Sequence, residues 1–203
     1  MARSLRLFVA VELPEEVLAH LTRIMARLRG QVPSGVQWVR PAGLHLTLKF
    51  LGNVPEEKLP SIVRAMEAAA FGVGPFTLHI RGAGVFPGPQ APRVVWLGVE
   101  GDLPPLRALQ ERLEEDLARV GFPRELRAFS PHLTVGRIRD RLPPSARQKL
   151  LQALDDLGRR ESQELTVLAL SLMESELAPG GAIYRRRASV PLPGASGQAT
   201  FVS

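Results

Sequence analysis

Leu44-His45-Leu46-Thr47-Leu48-Lys49-Phe50-Leu51 and, further along the chain, Pro131-His132-Leu133-Thr134-Val135-Gly136-Arg137 share one pattern, His-x-Thr-x inside an alternation of apolar and polar residues. Side chains alternate across a strand, so His45, Thr47 and Lys49 are expected on one face and Leu46, Leu48 and Phe50 on the other. His132 and Thr134 repeat the arrangement over Leu133 and Val135. Each motif presents an imidazole beside a hydroxyl, on a strand that apolar packing would hold rigid.

Outward from the motifs, the same succession occurs twice: helix, motif strand, helix, two strands. Leu5 to Glu12 reads as an opening strand. A helix follows Pro14, with Val17, Leu21, Ile24 and Leu28 on one stripe and Gly30 near its end. Trp38-Val39 and Leu44 to Leu51 are strands parted by Pro41-Ala42-Gly43. Further helices are predicted over Pro55 to Ala70, Pro104 to Val120 and Pro143 to Leu157. Strands are predicted over Phe76 to Val85, Val94 to Val99, His132 to Ile138, Leu165 to Leu177 and Ile183 to Val190. The Phe86 to Pro92 segment is too rich in proline and glycine to continue either strand beside it. The repetition predicts an α+β duplication: two lobes, each a mainly antiparallel sheet packed with helices, with the duplicated halves facing each other. Residues 1–192 form the expected bilobal domain, and 193–203 a loosely packed tail.

The chain has 203 residues, 45% hydrophobic and 23% charged, an ordinary globular composition. No apolar run approaches the roughly 20 residues that cross a bilayer, and no signal-peptide block opens the chain, so a cytoplasmic protein without membrane contact is expected. The absence of cysteine excludes disulfides, thiol nucleophiles and cysteine zinc sites. With four histidines and no converging ligand spacing, no metal or cofactor is expected. The net charge of +6, carried almost wholly by arginine, favours a polyanionic partner.

Two imidazoles without a metal suit phosphodiester hydrolysis. One removes a proton from the attacking water and the other protonates the departing oxygen, both near neutral pH. Threonine hydroxyls can donate to the nonbridging phosphate oxygens. Candidate catalytic residues are therefore His45, His132, Thr47 and Thr134. Candidate substrate-binding residues are Arg137, Arg93, Lys49, Phe50 and Tyr184, the last followed by Arg185, Arg186 and Arg187. Strict alternation sets Arg137 opposite His132 unless Gly136 bends the strand. His20 and His79 lack the motif and read as structural.

These residues resemble the two-histidine phosphoesterase superfamily and, within it, the bacterial and archaeal 2′-5′ RNA ligase or RNA 2′,3′-cyclic phosphodiesterase family. The resemblance runs from about Leu5 to Leu192. It includes Arg6-Leu7-Phe8-Val9-Ala10, Pro92-Arg93-Val94-Val95-Trp96 and the Leu172 to Tyr184 segment. It implies a bilobal fold with the active site in the cleft between the lobes, where His45 is the acid protonating the ribose oxygen and His132 the base activating water. A terminal cyclic phosphate would open to a 2′-phosphomonoester, with ATP-independent 2′-5′ ligation as the reverse. RNA ends or nucleotide cyclic phosphates would be the partners, with no obligate protein partner. A non-catalytic RNA-end binding module and a phosphodiesterase for a small cyclic nucleotide remain as alternatives.

Overall fold

The first motif strand, β3 (His45–Pro55), carries two more residues than its neighbour β1 (Ser4–Glu12) can pair, and that surplus shapes the site. Across this antiparallel ladder Glu12 faces His45, Ala10 faces Thr47, Val9 faces Lys49 and Phe8 faces Phe50. Leu48 and Leu51 have no partner, so each is a bulge that reverses the alternation beyond it. A computed structural model describes residues 3–32, 34–178, 181–195 and 200–201.

The other elements are α1 (Glu15–Gln31), β2 (Gln37–Trp38), α2 (Leu59–Ala70), β4 (Phe76–Phe86), β5 (Val94–Gly101), α3 (Leu103–Arg119), β6 (His132–Arg137), α4 (Pro144–Arg160), β7 (Ser162–Val167), β8 (Ala169–Ala178), β9 (Gly181–Pro191) and β10 (Thr200–Phe201). They form two five-stranded antiparallel sheets, ordered β10-β9-β8-β1-β3 and β2-β6-β5-β4-β7. The α+β class, the two lobes and the twofold repetition agree with the sequence expectation. The lobes, however, are not the two halves of the chain. The β8–β9 hairpin of the second half completes the first sheet, and the β4–β5 hairpin of the first half completes the second. Helices are exchanged likewise: α2 packs on α3 against the first sheet, and α1 packs on α4 against the second.

Local sequence explains the helices. Glu15 and Glu16 complement the dipole in the first turn of α1, whose buried stripe is Val17, Leu21, Ile24, Met25 and Leu28. In α3, prolines at the start cost no hydrogen bond, and Leu106, Leu109, Leu113 and Leu117 are fully buried. Each such leucine contributes about 2 kcal/mol relative to an exposed position.

The stretch from Leu165 to Leu177, predicted as one strand, is two. The chain leaves the second sheet after Val167, turns at the half-exposed Leu168 and enters the first sheet as β8. No glycine or proline marks the break, because Leu192 secures it: its N–H donates to the Leu168 carbonyl at 2.8 Å. The tail expected to be loosely packed from residue 193 also contributes to the first sheet, where Thr200 and Phe201 pair with Ser189 and Ala188. Among the described residues no helix is long and apolar enough to cross a membrane.

Candidate active site

Both motifs carry a bulge at the same place. In the ladder between β5 and β6, Gly98 faces His132, Trp96 faces Thr134 and Val95 faces Gly136, so Val135 is the unpaired residue. Leu48 and Val135 are each the fourth residue of their motif, and both are buried. The apolar fourth position is therefore the bulge residue, turned inward as an anchor.

One consequence corrects the expectation for Lys49. Beyond the Leu48 bulge, Lys49 shares the face of Val9, and only 5% of it is exposed. Its Nζ donates to Glu114 Oε2 and to the Pro123 carbonyl, each at 2.6 Å. It is a buried anchor and not a phosphate ligand. Glu114 also accepts from the Gln110 amide at 3.1 Å and from the Glu125 N–H at 2.9 Å, so the cluster fixes the start of the loop that leads to the second motif.

The same geometry brings Phe50 and Arg137 to the motif faces. Phe50, opposite Phe8, lies on the face of His45 and Thr47 and is 63% exposed. Arg137, opposite Val94, returns to the face of Trp96, Thr134 and His132. The bend at Gly136 foreseen as the alternative is in fact the bulge at Val135. The two residues hold equivalent positions in the two repeats, one aromatic and one cationic.

His45 packs beneath two rings, Phe8 with centroids 4.6 Å apart and the edge of Tyr184 at 4.9 Å. Tyr184 comes this close because residue 43 is glycine: a Cβ there would sit 3.1 Å from its ring. Burial under these rings pushes the His45 pKa down to about 4; a hydrogen bond to the Gly43 carbonyl and the Glu12 carboxylate oppose this, and the Arg137 charge adds to it. β3 and β6 touch where the sheets meet, which brings the two motif strands together. Arg137, on the second of them, is near enough for its charge to bear on His45. Glu12 is itself held by Ser171 Oγ and by Arg186 Nη1, the latter at 3.2 Å.

His132 donates from Nδ1 to the Ser130 carbonyl at 2.7 Å. That bond selects the tautomer whose Nε2 carries the lone pair. Each histidine is thus held by the carbonyl two residues upstream, Gly43 or Ser130. Phe86 meets His132 edge-on at 5.1 Å and Trp96 at 5.2 Å, with the Arg127 guanidinium 5.8 Å above its ring.

The remaining candidates divide. Tyr184 is at the site. Arg93 is exposed beside β6, and its guanidinium donates to the Arg139 carbonyl. The arginines after Tyr184 are neutralised: Arg185 pairs with Glu176, Arg186 with Glu12, and Arg187 with Glu56 and Glu174. His20 sits 3.3 Å from Glu161, and His79 opposite Glu164 in the second sheet, both away from the motifs. Sequence reasoning missed Glu12, which is invisible without strand pairing. Phe8 and Phe86 are among the few aromatics the sequence offers for base stacking, and the structure sets each of them against a motif histidine.

A family model described as LigT like phosphoesterase matches residues 11–96 and again residues 97–184. The chain is 42% identical over 181 residues to an RNA 2′,3′-cyclic phosphodiesterase of Methanothermobacter thermautotrophicus, covering 89% of this chain and 95% of the relative. The crystal structure of a Thermus thermophilus protein matches with a TM-score of 0.75 at 33% identity, covering 93% of this chain and 98% of that one. E. coli LigT complexed with 3′-AMP matches with a TM-score of 0.71 at 28% identity, covering 94% and 99%.

Proposed function

Because the chain belongs to the LigT-like phosphoesterase family, we propose that it hydrolyses the 2′,3′-cyclic phosphate at RNA ends to a 2′-phosphomonoester. The observation that carries this reading is the pair of equivalent His-Thr half-sites on β3 and β6, strands that touch where the two sheets meet. Water attacks phosphorus and passes a proton to Nε2 of His132, the nitrogen left free by the bond to Ser130. The P–O3′ bond breaks, and His45 delivers a proton to O3′. Thr47 and Thr134 donate to the nonbridging oxygens, and Arg137 balances the charge that grows there.

With a pKa of about 4, His45 is neutral in the empty site near pH 7. Its role as acid therefore requires protonation together with substrate binding, since an anionic phosphate placed against the ring favours the imidazolium. With the 5′-hydroxyl of a second RNA end in place of water, the same attack on phosphorus breaks the P–O3′ bond, O3′ takes the proton from His45, and a 2′-5′ linkage forms without ATP. Phe50 and Tyr184 offer faces for the nucleoside, and Arg93 lines the approach. Residues 1–192 act as one catalytic domain, working in the cytoplasm without an obligate protein partner.

The test is turnover of a cyclic-phosphate oligoribonucleotide in the presence of chelator. Activity is expected to persist, and His45→Ala and His132→Ala are each expected to lose about a thousandfold or more. Undiminished turnover by both variants would refute the mechanism. Tight binding of the RNA end with no turnover by the wild type would favour the non-catalytic reading. The neighbour solved with 3′-AMP supports a cleft that also admits a single nucleotide.

A further inference from the structure

We infer that the RNA chain upstream of the cyclic phosphate leaves the cleft along a strip of exposed arginines at the end of the second sheet, Arg137, Arg139, Arg141 and Arg93. The inference rests on the proposed cyclic phosphodiesterase reading and adds where the polymer lies. Within the strip Ile138 and Leu142 are buried, whereas Arg137, Arg139 and Arg141 are exposed. The backbone is pinned: Ile138 N–H donates to the Arg93 carbonyl at 2.9 Å, and the Arg93 guanidinium reaches the Arg139 carbonyl. Arg137 and Arg139 are thus presented from a pinned backbone, and Arg141 from the connection to α4 beside the buried Leu142.

Charge pairing separates this strip from the other arginine run in the chain. Arg185, Arg186 and Arg187 each face a glutamate, so that surface holds little free positive charge. Among the described residues no carboxylate forms an ion pair with Arg93, Arg137, Arg139 or Arg141, and the strip contains a single exposed acid, Asp140. Its inner end is Arg137, whose charge already bears on His45. A phosphodiester chain whose last phosphate lies between the histidines therefore meets unneutralised guanidinium groups along this path. Guanidinium forks suit successive nonbridging oxygens.

The test compares a 2′,3′-cyclic mononucleotide with oligoribonucleotides of increasing length that end in a cyclic phosphate. KM for the wild type is expected to fall as nucleotides are added, with a salt dependence that steepens by about 0.7 per phosphate contact. The double variant Arg139→Ala/Arg141→Ala is expected to raise KM for the oligomer about tenfold and flatten the salt slope, with mononucleotide turnover unchanged. Arg185→Ala, which removes an already paired cation, is the matched control and is expected to change neither. Fluorescence anisotropy with an oligoribonucleotide ending in a 2′-phosphate reports the same contacts without turnover. Equal KM for monomer and oligomer, or unchanged oligomer binding by the double variant, overturns the track. If no cyclic phosphate is hydrolysed at all, the catalytic reading fails, and the anisotropy still decides the track.

Discussion

Glu12 lies directly across the β1–β3 ladder from His45, and its carboxylate is the acidic group that supports the protonated form of that imidazole. Arg137 acts on the same ring with the opposite sign, and Tyr184 and Phe8 cover it. The ring that the proposed mechanism uses as its acid is thereby buried and held neutral near pH 7 in the empty site.

Replacing Glu12 with Gln removes the favourable charge and keeps the shape. The His45 titration midpoint, read from its ring proton resonances, is expected to move below that of the wild type. Turnover near neutral pH is expected to fall several-fold and to recover partly as pH is lowered. An unmoved His45 midpoint would reduce Glu12 to a structural role.

Arg137→Ala separates tuning from binding. In the empty enzyme the His45 midpoint is expected to rise, because a repelling charge has gone. Despite the larger protonated fraction of His45, kcat/KM is expected to fall by about tenfold to a hundredfold through the lost charge-assisted contact with the phosphate. A rise in kcat/KM would show that Arg137 does not touch substrate.

Stability should depend on His45 as well. In the unfolded chain the ring takes up its proton near pH 6.5, whereas in the fold it does so only near 4. Between these values the unfolded state binds more protons, so stability present above pH 6.5 is lost as pH falls toward 4. The change attributable to this ring is at most about 3 kcal/mol. Urea unfolding of the wild type and of His45→Gln between pH 7 and 4 is expected to show the difference between them shrinking along that window.

Lys49 and Glu114 provide a test that runs opposite to Arg137. Removing one partner leaves the other charge buried, so Lys49→Met is expected to cost about 3–5 kcal/mol. Lys49→Met combined with Glu114→Leu is expected to cost less than the sum of the two single changes. Folded Lys49→Met protein, assayed below its melting range, is expected to keep the wild-type KM, because Nζ is turned toward Glu114 and Pro123. A large KM increase with stability unchanged would return Lys49 to the substrate.

Much of this molecule could be read in one dimension. Helical stripes such as Leu106, Leu109, Leu113 and Leu117 declare themselves through spacing, and the recurrence of His-x-Thr-x at matching points of a repeated succession named the chemical half-sites. Those signals are local, because periodicity and residue chemistry operate within a few residues. Pairing decided the rest. Which strand accepts which hairpin depends on complementarity between distant segments, so the exchange of β4–β5 and β8–β9 between the halves left no mark in the alternation. The bulges at Leu48 and Val135 arise because a neighbouring strand offers one residue fewer than the motif strand presents. That mismatch turns Lys49 inward to Glu114 and carries Phe50 and Arg137 to the motif faces. The sequence by itself determined that two imidazoles and two hydroxyls would be displayed on strands; only the tertiary structure decided what surrounds them, because a side chain's face is set by hydrogen-bond register with a partner strand and not by its own neighbours in the chain.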